Sequence, residues 1–128
     1  MTDPGLGAFA TACGLTRPVM ADGRGVCEVD LGPQHLNPHG VVHGAVMYAL
    51  ADTAMGAAVT SRLSDDERCA TLEIKINYVA PATSGRLTAE AVVVGRSRRI
   101  AVVEARVRDA DGGLVALATG SFYVSRRA

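Results

Sequence analysis

The chain has 128 residues, 48% apolar and 20% charged, and its 13 basic and 13 acidic side chains cancel to a formal net charge of zero. That length fits one domain with its own core, and the apolar content excludes a disordered chain. With charges interspersed and only two phenylalanines and three tyrosines, there is neither a basic field for nucleic acid or an anionic membrane nor a platform for stacking bases.

The opening stretch "MTDPGLGAFATACGL" carries Asp3 and no basic residue before Arg17. It lacks the basic start of a secretory signal, and no apolar run reaches the ~18 residues of a membrane span. The expected location is cytoplasmic. Residues 5–14 favour a short helix weakened by Gly5 and Gly7, within an N-terminal extension, 1–24, of a single domain whose core spans 25–124. Cys13, Cys27 and Cys69 are odd in number and widely spaced, which fits neither a disulfide framework nor a thiolate zinc site.

"GVCEVDL" (25–31) reads as a strand closed by Gly32-Pro33, and "GPQHLNPHG" is a loop that neither regular structure can continue. From 43 to 62, "HGAVMYALADTAMGAAVTSR" is a helix dense in Ala, Leu and Met, with Tyr48, Asp52 and Thr53 as its clearly polar interior side chains. A helix apolar nearly all round is a buried one. Four strand-like segments follow, at 70–79, 86–95, 100–109 and 114–124, separated by Gly, Pro and Asp turns. The expected fold is α+β: one long central helix covered by an antiparallel sheet, with the last four strands in a meander. One sheet cannot cover every side of that helix, so a second subunit is expected on the remaining face, in a symmetric homodimer.

His35, His39 and His43 stand four apart, but Pro38 and Gly40 forbid a helix that would gather them, and no metal site is expected. Neither a serine nucleophile elbow nor a P-loop nor a dinucleotide fingerprint is present. The helix start at His43-Gly44 offers backbone N–H groups without intrahelical partners, and Asn37 in the preceding loop adds an amide donor. Together they suit an oxyanion, although a capped helix after an Asn-Pro turn explains the same residues equally well.

Asp52 separates the two explanations. A carboxylate in an apolar helix is costly unless paired, and no Lys or Arg lies within four positions of it. A structural Asp bonded to Thr53 or Tyr48 is one reading; a general base or carboxylate nucleophile is the other. Eight residues separate Gly44 from Asp52, about 12 Å of regular helix. Both groups would have to lie about 3 Å from the reacting atoms. If both are catalytic, Asp52 therefore serves the carbonyl held at Gly44 of a second subunit.

In order along the chain, "NPHGVVHGA", "ALADTAMGAAV", "INYVAPATSG" and "GRSRRIAVVEARVRD" resemble the signatures of the hotdog-fold thioesterases, and within them the PaaI-like acyl-CoA thioesterases. The resemblance covers roughly residues 25–124. It implies a hotdog fold in which subunits pair to homodimers and commonly to homotetramers, acting on acyl-CoA without a separate cofactor, since coenzyme A is part of the substrate. Residue by residue, it implies that Asn37 and Gly44 polarise the thioester carbonyl, that His43 organises the site, that Asp52 acts from the partner subunit, and that Thr71 positions the water. Ala45 stands where many relatives carry a second glycine; its N–H should leave the oxyanion donors intact. Arg96, Arg98 and Arg99, with Ser97 between them, are the expected contacts for the phosphates of coenzyme A, against the plain reading of solvated turn charges.

Two competing readings share the fold. A hotdog module that binds acyl-CoA without cleaving it is disfavoured by the intact Asn37, Gly44 and Asp52 set. An enoyl-CoA hydratase should carry Asp and His together in one loop, which this chain does not.

Overall fold

The computed structural model describes residues 6–126. Its elements are α1 (Gly7–Ala12), β1 (Val19–Ala21), β2 (Arg24–Asp30), α2 (Gly44–Thr60), β3 (Glu67–Tyr78), β4 (Arg86–Arg96), β5 (Ile100–Arg108) and β6 (Leu114–Arg126), with a single 3-10 turn at Pro33–His35. All six strands join one antiparallel sheet in the order β1-β2-β4-β5-β6-β3.

Helix α2 lies across this sheet, packing mainly on β2, β4 and β5. Its Leu50, Ala51, Ala54, Met55 and Ala58 are fully buried, against Val29, Leu87, Val103, Val107 and Phe122 from the strands. The small side chains of α2 let it approach closely. At Gly25 in β2 a Cβ would run into the carbonyl of Ala54 and come within 2.8 Å of the Ala58 nitrogen. Glycine is required there by a backbone meeting a backbone.

Two features depart from the sequence reading. Only β4, β5 and β6 form a meander; β3 lies beyond β6, at the edge opposite β1. The cause is the helix itself, which carries the chain across the sheet from β2, so that residues 79–85 must bring it back to pair β4 with β2. The second departure is β1, a strand inside the N-terminal extension. Asp22 (φ 51°) and Gly23 (φ 80°) turn it onto β2, a backbone pair typical of tight hairpins. Gly23 N–H donates to Ser61 Oγ (2.7 Å) and Arg62 donates to Asp22 O (2.9 Å), fastening that hairpin to the end of α2.

The edge strand β3 carries a bulge between Thr71 and Glu73: Thr71 pairs with Phe122, but Glu73 already pairs with Ser121, leaving Leu72 as the extra residue. Without it, Thr71 and Ile74 would point to opposite faces. With it, Cys69 and Thr71 share the helix-facing side with Ile74, Ile76 and Tyr78, opposite Val124, Phe122, Gly120, Ala118 and Ala116. Leu72, Tyr78 and Val79 remain exposed along this unpaired edge.

Candidate active site

Asp52 sits half-buried midway along α2. Its Oδ1 accepts a hydrogen bond from Thr71 Oγ1 at 2.7 Å, the contact that the β3 bulge makes possible. Thr53, the neighbouring hydroxyl that could have satisfied Asp52, instead donates to Ala49 O at 2.7 Å, and Tyr48 makes no bond to the carboxylate. Among the described residues nothing donates to Asp52 Oδ2. Asp52 lines a cavity of about 360 Å³, bounded also by Thr53, Gly56, Thr71, Phe122 and, from the N-terminal segment, Arg17, Pro18 and Met20. Cys69 lines the same space; burial pushes its thiol above the ordinary value, a contact with Thr60 partly offsets this, and the nearby Asp52 charge raises it further.

The start of α2 is organised by His43, the N-cap, whose Nδ1 accepts from Ala45 N–H at 3.0 Å while its carbonyl accepts from Val46 N–H at 2.9 Å. This corrects the expectation for Ala45: its N–H is engaged in the cap rather than open to an oxyanion. Among the described residues nothing accepts from Gly44 N–H, which leaves it as the open donor of the first turn. Gly44 is held under the ring of Tyr78, whose hydroxyl donates to Gly44 O at 3.0 Å. A Cβ on Gly44 would lie 3.0 Å from Tyr78 Cζ, so any larger residue would have to push the outer end of this ring back by a few tenths of an ångström. Burial, then the neighbouring Tyr48, pushes the Tyr78 phenol above its ordinary value.

Asn37 turns the loop before the helix. Its Oδ1 accepts from His39 N–H (2.9 Å) and Val41 N–H (3.4 Å). Because both partners are donors, the oxygen must face the turn, and the amide NH₂ is directed away from it with no acceptor among the described residues. His35, by contrast, is a buried structural residue: Nδ1 accepts from Gly32 N–H (2.9 Å) and Nε2 donates to Cys13 O (2.7 Å).

Gly44 lines its own cavity of about 340 Å³ with Val41, Val42, Met47, Tyr78, Val79 and Pro81, and none of its lining residues is shared with the cavity of Asp52. In one chain, then, Gly44 stands in a cavity apart from the carboxylate and Thr71, and Asn37 is among the lining residues of neither. The arginine turn between β4 and β5 is a third location. Arg96 donates to Ser97 O (2.8 Å) and lies 3.8 Å from Glu67, while Ser97 N–H closes the hairpin on Ile100 O (2.8 Å). Among the described residues Arg98 and Arg99 have no ion pair; they border a small hollow with Glu67, Val124, Ser125 and Arg126. Tyr78 and Cys69 are the site residues that pattern reading gives no role: Cys69 stands outside every motif, and Tyr78 stands inside "INYVAPATSG" without chemistry of its own to single it out. Their helix-facing side becomes visible only once β3 is paired with β6.

One long helix enclosed by one antiparallel sheet is the hotdog architecture, here with a carboxylate and a helix-start donor at separate points along the helix. The chain belongs to the Thioesterase superfamily, whose family model matches residues 39–116, and it is a thioester hydrolase. A protein of Saccharolobus solfataricus, provisionally named an esterase, is 35% identical over 104 residues, 81% of this chain and 74% of that one. A variant of the phenylacetic acid degradation protein PaaI of Thermus thermophilus superposes with a TM-score of 0.81 at 34% identity, covering 94% of this chain and 98% of that one. A Bacillus halodurans protein solved with CoA is 38% identical with a TM-score of 0.76, over 78% of this chain and 66% of that one.

Proposed function

We propose that the protein is an acyl-CoA thioesterase that hydrolyses an aryl- or alkyl-acyl-CoA to the free acid and CoA as a homodimer, with dimers pairing into a homotetramer. The observation that carries this reading is the division of the machinery between two cavities of one chain. A second copy, docked on the exposed β3 edge, brings its Asp52 to the carbonyl held at Gly44 of the first. Gly44 N–H and the Asn37 amide hold the charge that develops on the carbonyl oxygen. Asp52, oriented by Thr71, either takes a proton from water as it attacks the carbonyl carbon or attacks that carbon itself, leaving an anhydride for water to open. In both routes the carbon–sulfur bond breaks and the CoA thiolate leaves, to be protonated.

His43 acts through the helix start that it caps. The turn of Arg96, Ser97, Arg98 and Arg99 receives the CoA phosphates, with Arg98 and Arg99 the better placed because Arg96 is paired with Glu67 while neither of them has an ion pair among the described residues. The relative solved with CoA supports a CoA ester as substrate. No metal or further cofactor enters this reading. None of the described helices is long and apolar enough to cross a membrane, and a cytoplasmic location is part of the proposal.

Thiol release from a panel of aryl- and alkyl-CoA thioesters is the test, run beside Asp52→Asn. The variant should fold and lose turnover; unchanged turnover refutes the role given to Asp52. Mixing Asp52→Asn chains with Asn37→Ala chains, each impaired alone, then tests the sharing of sites. Random pairing restores about a quarter of wild-type activity if each site draws on two chains, and restores none if each chain is self-sufficient.

A further inference from the structure

Gly56 is a glycine in the interior of α2, where the absence of a side chain disfavours the helix. The other tight glycines of this region have a cause within the chain: Tyr78 lies over Gly44, and the helix backbone lies against Gly25. Gly56 has none. Its φ is not positive, and a Cβ built on it meets only Phe122 Cε2, at 3.9 Å, an ordinary contact. The chain's own packing would accept alanine, so the space above Gly56 is kept open for something else.

The position of that space identifies the occupant. Gly56 follows Asp52 by four residues and lies on the same helix face, about 6 Å further along. Both residues line the 360 Å³ cavity, whose walls beyond them combine the apolar Phe122, Met20, Pro18 and Ala57 with the polar Arg17, Thr53, Thr60 and Thr71. A carbonyl carbon within reach of Asp52 directs its acyl substituent a few bonds away, which is the distance to Gly56. The apolar part of that wall, Phe122, Met20, Pro18 and Ala57, suits acyl carbons better than the amide-bearing pantetheine arm.

We propose that Gly56 is a specificity-determining residue: its missing side chain sets how much bulk the acyl group can carry next to the reacting carbonyl. This rests on the acyl-CoA thioesterase reading. The test compares wild type with Gly56→Ala and Gly56→Leu on acetyl-, butyryl-, benzoyl- and phenylacetyl-CoA by thiol release, with oligomer mass and thermal melting measured on each protein. Gly56→Leu should lower the benzoyl-to-acetyl ratio of kcat/KM by about 10–200-fold. Gly56→Ala should shift it less in the same direction while melting no lower than wild type, and both variants should keep the wild-type oligomer mass.

A ratio that stays within about twofold in both variants overturns the proposal. So does an equal fall on all four thioesters, which would place the pantetheine arm over Gly56, or a change in oligomer mass, which would place a subunit contact there. A wild-type protein that releases no CoA from any of the four overturns the acyl-CoA reading and this inference with it. An active wild type with a flat ratio overturns the role of Gly56 alone.

Discussion

Replacing Thr71 by valine removes one hydroxyl and little else, because valine keeps the branched shape that suits β3. What is lost is the 2.7 Å hydrogen bond to Asp52 Oδ1. A hydrogen bond to a charged group contributes about 1.5–3 kcal/mol, and the exposure of Thr71 places this one at the lower end. At about 1.4 kcal/mol per factor of ten, kcat should fall about tenfold if the bond orients Asp52 for the chemical step. KM, set by contacts elsewhere, should stay within about twofold. Thr71→Ser should retain most of the turnover, since it keeps the donor. The assay is thiol release under saturating and limiting acyl-CoA, repeated on Asp52→Asn. If the hydroxyl acts through the carboxylate, adding Thr71→Val to Asp52→Asn costs nothing more. A Thr71→Val enzyme with wild-type kcat, or full additivity with Asp52→Asn, refutes the orienting role.

Gly44→Ala places a Cβ 3.0 Å from Tyr78 Cζ. It should lower stability by about 1–2 kcal/mol in chemical denaturation. In a Tyr78→Ala background, which removes the ring, the same change should cost much less, and equal costs in both backgrounds would refute the contact. Cys69 gives a prediction in pH. Burial first, and the Asp52 charge in addition, raise its thiol above the ordinary value, so the reactive thiolate is scarce at neutral pH. Asp52→Asn removes the negative charge and should move the iodoacetamide labelling profile of Cys69 to lower pH, read by mass spectrometry. An unmoved profile would mean that the charge of Asp52 does not reach the thiol.

The legible parts of the fold were the long periodic ones. The helix expected over 43–62 runs from Gly44 to Thr60, and the strand expected at 86–95 runs from Arg86 to Arg96. Periodicity does not report which strand lies beside which, so the seat of β3 beyond β6 was not legible. Nor was its bulge, which exists only relative to the pairing with β6. β1 did leave a signal, the Asp22-Gly23 pair, in a segment that reads as a simple extension. In the site, the distance between Gly44 and Asp52 follows from helical rise alone. The partner of Asp52 does not, because Thr71 is 19 residues away and reaches it across the sheet. The N–H of Ala45 is engaged because the ring of His43 turns its Nδ1 onto it, which no spacing rule conveys.

Leu72 gives the edge strand two phases. Upstream of it, Cys69 and Thr71 face the helix and line the cavity of Asp52; downstream, Ile74 and Ile76 face it against the core, and Tyr78 faces Gly44. Leu72 itself is exposed and belongs to no part of the buried cluster. What the bond between Thr71 and Asp52 needs at this position is therefore a count rather than a side chain. Substitutions here leave the numbering of the strand intact, whereas a single deletion would turn Thr71 away from Asp52 without removing any atom of the site. In this strand, length is itself a functional property.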